Sequence, residues 1–185
     1  MQIKATILDE IAIQRIITRL SHEILEHNNG SDNIILMGMR TRGEFVAKRI
    51  AAKIHEIEKK DVPLAILDVT LYRDDFRTNL KQPTVSVSNI TADITGKDVI
   101  LIDDVLYTGR TVRSALCAIM EFGRPSTIQL CCLVDRGHRE LPIRADYIGK
   151  NIPTSFDEEI KLKMNEIDNE DAVYLVDSSS LKGGD

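Results

Sequence analysis

The chain has 185 residues, 43% hydrophobic and 29% charged, with a formal net charge of −5. That is the size and balance of one globular domain with a sizeable core. The acidic balance argues against bulk nonspecific affinity for nucleic acid but leaves room for a local basic face. No run of 18 apolar residues and no basic-then-apolar leader is present, so a cytoplasmic protein is expected.

From Asp9 to about Asn28, the residues Ile13, Ile16, Ile17, Leu20 and Ile24 recur at helical spacing and predict an amphipathic helix. Arg15, Thr18, Arg19 and His22 occupy the opposite arc, which taken alone reads as a solvated face. Asn33 to Met37 is a short apolar strand. Gly38-Met-Arg-Thr-Arg-Gly43 then forms a loop that opens a second helix running to about Lys59. Its amides and guanidinium groups suit a pyrophosphate. Leu64 to Tyr72 is the next strand. The polar stretch from Arg73 to about Thr95 reads as a flap, with Thr84 to Ser88 alternating like a hairpin strand. Tyr72, Arg73, Asp74 and Asp75 stand at its root, and three successive charges there read as often as not as a solvated corner.

Val99 to Ile102 is a fully apolar strand, followed by Asp103 and Asp104, the turn Val105 to Thr111 and a helix from Val112 to Phe122. A turn between the carboxyl end of a strand and a helix N-terminus offers unpaired N–H groups to a phosphate. Gly109 permits close backbone approach, and the hydroxyls of Thr108 and Thr111 can donate beside the amides. Asp103 and Asp104 would repel a phosphate but accept from sugar hydroxyls, so the string fits a phosphorylated sugar. It is neither a Walker loop nor a dinucleotide fingerprint.

A strand from Ile128 to Val134, a polar loop from Asp135 to Arg144 and short strands near Tyr147 and from Ala172 to Val176 complete the pattern. Strands alternating with helices predict an α/β fold with a mostly parallel sheet flanked by helices. The whole chain, 1–185, is expected as a single domain, with a flap at about 73–95 and a fraying tail at 178–185. Cys117, Cys131 and Cys132 lack Cys-x-x-Cys spacing and are expected as core thiols.

At Val99 to Thr111 the chain resembles the phosphoribosyltransferases. Together, Thr70 to Asp75, Asp104 to Arg113 and Val134 to Ser155 are similar to one bacterial subfamily, the pyrimidine operon attenuation regulators with uracil phosphoribosyltransferase activity. The resemblance implies a type I phosphoribosyltransferase fold and transfer of ribose 5-phosphate from phosphoribosyl pyrophosphate to uracil. Arg40, Thr41, Arg42 and Gly43 would then form the pyrophosphate loop. Asp103 and Asp104 would hold the ribose beside the reacting carbon, and Val105, Leu106, Tyr107, Thr108, Gly109, Arg110 and Thr111 would bind the 5-phosphate.

Arg73 and Lys81 would reach the substrate from the flap, and Arg136 would line the base pocket. Mg²⁺ would be held mainly by substrate oxygens. The resemblance also implies a homodimer or higher homo-oligomer and binding of the pyrimidine operon leader mRNA, with uridine nucleotides as co-ligands. The RNA face would comprise Arg15, Thr18, Arg19 and His22 with His138, Arg139, Arg144 and Lys150. Uracil over other bases comes from the resemblance alone. Catalysis without RNA regulation, and a nucleotide-sensing regulator without turnover, remain as alternatives.

Overall fold

The computed structural model describes residues 2–68, 86–88 and 93–177, with only the backbone described at 86–88. The most apolar strands of the sequence stack side by side at its centre. These are β2 (Ile34–Met39), β5 (Asp98–Leu106) and β6 (Thr127–Asp135), following a strand β1 (Gln2–Leu8) that lies elsewhere. With β3 (Leu64–Asp68), β4 (Ser86–Ser88) and β7 (Tyr147–Asn151) they form a six-stranded sheet of order β4-β3-β2-β5-β6-β7. Five of these strands run parallel; β4 pairs antiparallel on the edge, with Leu67 opposite Val87.

Successive side chains on the central strands feed opposite cores, as a two-residue period requires. Leu36, Ile100, Ile102, Cys131 and Leu133 pack under α1 (Glu10–His27) and α2 (Arg42–Glu58). Met37, Val99, Leu101, Leu130 and Cys132 pack under α3 (Arg110–Phe122). Both faces are covered, which is why these strands carry almost no polar residues. The Asp9 carboxylate caps α1 by accepting from the Ala12 N–H at 2.8 Å, and Lys59 closes α2 in a left-handed conformation, φ +57°.

Several expectations need correction. The sheet is not the whole architecture: β1, β8 (Glu158–Lys163) and β9 (Ala172–Asp177) form a second, antiparallel sheet of order β1-β9-β8. A short helix α4 (Asn165–Asp168) lies between β8 and β9. Ile160, Leu162, Met164 and Val173 from this layer join the α1/α2 core.

The loop expected at Gly38–Gly43 shrinks to Arg40 and Thr41, because Gly38 and Met39 extend β2 and the helix starts at Arg42. The phosphate turn contracts likewise: β5 runs on through Asp103 and Asp104 to Leu106, still paired with β6. Cys131 and Cys132 are buried as expected, whereas Cys117 faces solvent on α3. Burial pushes both sealed thiols well above their ordinary pKa. Most of the expected flap, with Arg73 and Lys81, lies outside the described residues, as does the tail at 178–185.

Candidate active site

Parallel strands bring their carboxyl ends to one edge of the sheet, where ligands bind in open α/β folds. A cleft of about 560 Å³ opens there. Arg40, Thr41 and Arg42 line it from the β2–α2 junction, Asp103, Asp104, Val105 and Tyr107 from β5 and its turn, and Thr111 from the first turn of α3. Arg136 enters from the loop after β6. Glu159, Ile160, Lys161 and Leu162 of β8 close the remaining side.

The second sheet is therefore a wall of the site, and sequence reasoning missed it. The alternation Glu159-Ile160-Lys161-Leu162 was the available signal, since Ile160 and Leu162 are buried. A larger groove, about 730 Å³, runs along α1 and α2 past Arg15 and Thr18. None of its lining residues comes from the parallel sheet.

The junctions explain how the side chains are held. The Arg40 N–H donates to the Leu67 carbonyl at 2.9 Å, continuing the β2–β3 ladder, and the Arg40–Thr41 peptide is cis. Arg40 Nη1 donates to Asp68 Oδ2 at 3.2 Å, and its Nε is 3.7 Å from Glu44. Arg42 turns its Nη2 toward Asp168 on α4, at 3.1 and 3.2 Å from the two carboxylate oxygens. Gly43 lies flat on the end of β5: a Cβ there would stand 2.8 Å from the Ile102 carbonyl oxygen and 3.2 Å from Asp103 Cα. This close approach presses the positive end of α2 against the paired acids.

Asp103 is 8% exposed and accepts from the Asp104 N–H at 2.9 Å; Asp104 is half-buried. Beyond them Gly109, at φ +91°, makes the sharp turn into α3. Thr108 Oγ1 accepts from the Arg110 N–H at 3.4 Å, while the Thr108 carbonyl accepts from Glu140 and Leu141. The Arg110 side chain is paired with Glu140 at 2.5 Å, and Leu106 is core, 1% exposed. Among the expected phosphate residues, Thr111, Tyr107 and Val105 thus line the cleft, and Thr108, Gly109 and Arg110 shape the turn.

Arg136 is held at two nitrogens and on one face. Its Nε donates to Thr154 Oγ1 at 3.0 Å, its Nη2 donates to the Glu158 carbonyl, and its guanidinium carbon sits 3.9 Å from the Tyr107 ring centroid. It ties the two sheets together at the cleft.

The residues expected on an RNA face divide. Arg15, Arg19 and His22 are exposed on α1, Thr18 is half-buried beside them, and Lys150 is exposed on β7, which packs against α1. Arg19 spans the two, with Nη2 donating to the carbonyls of Ile148 and Gly149 at 3.0 and 2.7 Å. Arg144 is exposed in the loop before β7.

His138 and Arg139 lie in the loop after β6 and pack against the turn after β5. His138 Nε2 is 2.7 Å from the Thr154 carbonyl oxygen, and its ring lies between Tyr107 and Phe156. Arg139 reaches the carbonyls of Leu106, Tyr107, Gly137 and Ile143 and the carboxylate of Asp135. It braces the turn from behind.

A family model of the phosphoribosyl transferase domain matches residues 5–165. A protein of Bacillus cereus named "Bifunctional protein PyrR" is 57% identical over 96% of this chain and 99% of its own. A Bacillus thuringiensis protein of the same name matches equally. The chain belongs to the PyrR group of phosphoribosyltransferases.

Solved structures agree on the fold. A hypoxanthine phosphoribosyltransferase of Staphylococcus aureus superposes with a TM-score of 0.75, covering 98% of this chain and 95% of that one at 21% identity. A hypoxanthine-guanine phosphoribosyltransferase of Bacillus anthracis gives 0.71 at 22% identity, covering 95% and 99%. The fold is the type I phosphoribosyltransferase fold, and no described helix is long and apolar enough to cross a membrane.

Proposed function

We propose that this chain transfers ribose 5-phosphate from phosphoribosyl pyrophosphate to N1 of uracil, giving uridine monophosphate and pyrophosphate, and that it also regulates pyrimidine operon transcription by binding the leader mRNA. One observation carries the enzymatic reading. Asp103 and Asp104 stand in a single cleft between the Arg40–Arg42 junction on one side and the α3 N-terminus on the other. A sugar held at the acids would have its 5-phosphate at α3 and its pyrophosphate at α2.

In the reaction the C1–O bond to pyrophosphate breaks, the bond from C1 to N1 forms, and N1 loses its proton. Positive charge builds on the sugar as the leaving group departs, so the protein's work is placement and electrostatics. Asp103 and Asp104 would accept from the ribose hydroxyls and face the developing cation, and Arg40 and Arg42 would face the departing pyrophosphate. The carboxylates in the cleft are hard oxygen donors that suit Mg²⁺ beside a diphosphate, which would itself supply most of the ligands. When bound, Mg²⁺ neutralises charge on the leaving group. Arg73 and Lys81 remain candidates for substrate contact from the expected flap.

Incubation with uracil, phosphoribosyl pyrophosphate and Mg²⁺, followed by chromatography, tests the reaction. Uridine monophosphate should form, and hypoxanthine or guanine should give no nucleotide. Absence of product with uracil would refute the enzymatic reading and favour a regulator without turnover.

The regulatory reading is supported by the exposed basic side chains Arg15, His22, Lys150 and Arg144, which suit phosphate contacts. Arg19 is a poor residue to probe, because its removal also strips two β7 carbonyls of their donor. Double substitution of Arg15 and His22 by alanine should weaken leader binding about tenfold and spare uracil turnover. Equal affinity for leader and scrambled RNA would remove this half of the proposal. A homodimer or higher homo-oligomer would double the face, and light scattering reads that. A cytoplasmic location follows from the same substrates and RNA.

A further inference from the structure

The second sheet touches the cleft through β8 and also through a clamp on α2. Arg42 and Arg49 lie seven residues apart, two helical turns, on the side of α2 that meets α4. Both are held by acids from the α4 region, but in different ways. Arg49 is held at all three nitrogens: Nε, Nη1 and Nη2 make four bonds of 2.7 to 2.9 Å to Glu166 and Asp171. It docks α4 on α2.

Among the described residues, Arg42 is gripped at one nitrogen only, Nη2, by both oxygens of Asp168. Its Nε is buried and has no hydrogen-bond partner among the described residues. Its side chain is 30% exposed and lines the cleft. A guanidinium held from behind at a single nitrogen keeps the rest of its fork for another acceptor. Asp168 is itself fixed, with Oδ2 accepting from the Met164 N–H at 3.0 Å and Lys163 Nζ 3.7 Å from Oδ1.

We propose that Asp168 is a positioning residue for a diphosphate bound in the cleft. It acts through Arg42, holding that guanidinium in place before the ligand arrives, so that little side-chain freedom is lost on binding. The idea rests on the diphosphate side assigned above to Arg40 and Arg42. Asp168 lies 126 residues from Arg42 in the chain, and the second sheet is what carries it to α2.

The competing role is purely architectural, with Asp168 capping the Met164 N–H and fastening α4. Asp168→Asn separates the two, since Asn keeps an oxygen for Met164 but loses the charge that grips Arg42, while the Arg49 bonds still dock α4. Inorganic pyrophosphate with Mg²⁺ is titrated calorimetrically into the wild type, Asp168→Asn, Arg42→Ala and the double variant, and steady-state kinetics are run on phosphoribosyl pyrophosphate. Asp168→Asn should weaken pyrophosphate about fivefold and raise KM by a similar factor, with kcat within about twofold. Arg42→Ala should cost about tenfold or more, and Asp168→Asn should add nothing in that background.

A full fivefold loss from Asp168→Asn in the Arg42→Ala background, or unchanged affinity in the single variant, overturns the proposal. If Asp168→Asn fails to fold, Asp168→Ser, which also keeps an oxygen and loses the charge, carries the same cycle. Coupling in pyrophosphate binding without any uracil turnover would refute the reaction proposed above and leave the positioning role standing. Turnover without coupling would do the reverse.

Discussion

At the level of single residues, Asp104 and Gly43 make opposite demands on the cleft. Asp104 is half-buried at the end of a strand that needs no carboxylate for packing, so Asp104→Asn keeps the shape and removes the charge. Turnover should fall about 100-fold while the melting temperature stays within a few degrees; kinetics beside thermal denaturation reads both. Gly43 has no chemistry of its own. Gly43→Ala would drive a methyl into the Ile102 carbonyl and the Asp103 backbone, costing about 1–3 kcal/mol and displacing the acids. Urea denaturation should record the lost stability and initial rates the lost activity; intact values for both would contradict the close packing described. Asp103, Asp104 and Thr108 to Thr111 were legible because they follow an unbroken apolar strand. The commitment of Arg139 to five internal partners was not, since two of its four carbonyl acceptors, on Leu106 and Tyr107, come from a remote segment.

Among elements, the interface of α2 with α4 is the most exposed to acid. Burial tends to raise the pKa values of Glu166 and Asp171, but hydrogen bonds from Arg49 outweigh it and hold both below their ordinary values. Asp168 is lowered first by the Met164 N–H and then, against burial, by Arg42. Carboxylates with depressed folded-state pKa values contribute stability that is fully present above their unfolded values, 4.5 for Glu and 3.8 for Asp, and is lost as pH falls through the folded ones. Arg49→Met leaves two carboxylates without their partner and should cost about 1–3 kcal/mol at neutral pH, reduced from a fully buried pair by solvent access. It should also flatten the loss of melting temperature between about pH 5 and 3. A slope identical to the wild type's would mean that other groups carry the acid sensitivity.

The elements that sequence reading missed share one property: their partners are remote. β1 pairs with β9 across nearly the whole chain, Gln2 opposite Asp177, and β8 is a mostly charged run whose two apolar residues find their core only once β9 is in place. Local periodicity marks β8 as a strand but does not say which strand it pairs with. The parallel sheet was readable because each of its central strands is apolar on both faces.

For the molecule as a whole, the second sheet shares a core with the first. Leu8, Ile160, Leu162, Met164 and Val173 lie in the same core as Leu36, Ile100 and the apolar stripes of α1 and α2. We expect a single cooperative unfolding transition, with circular dichroism and tyrosine fluorescence coinciding in urea. Tyr147, buried between the layers, and Tyr174, on β9, sample both sheets. Two separated transitions would divide the chain into independent domains.

The three cysteines turn this cooperativity into something countable. Cys117 meets solvent on α3, while Cys131 and Cys132 are adjacent on β6, one facing each core. An alkylating reagent should therefore add one mass increment to the native chain and three to the opened one. The two latecomers should arrive together, so intact-mass spectrometry would time the parting of the central strands even in a variant whose catalysis has been abolished.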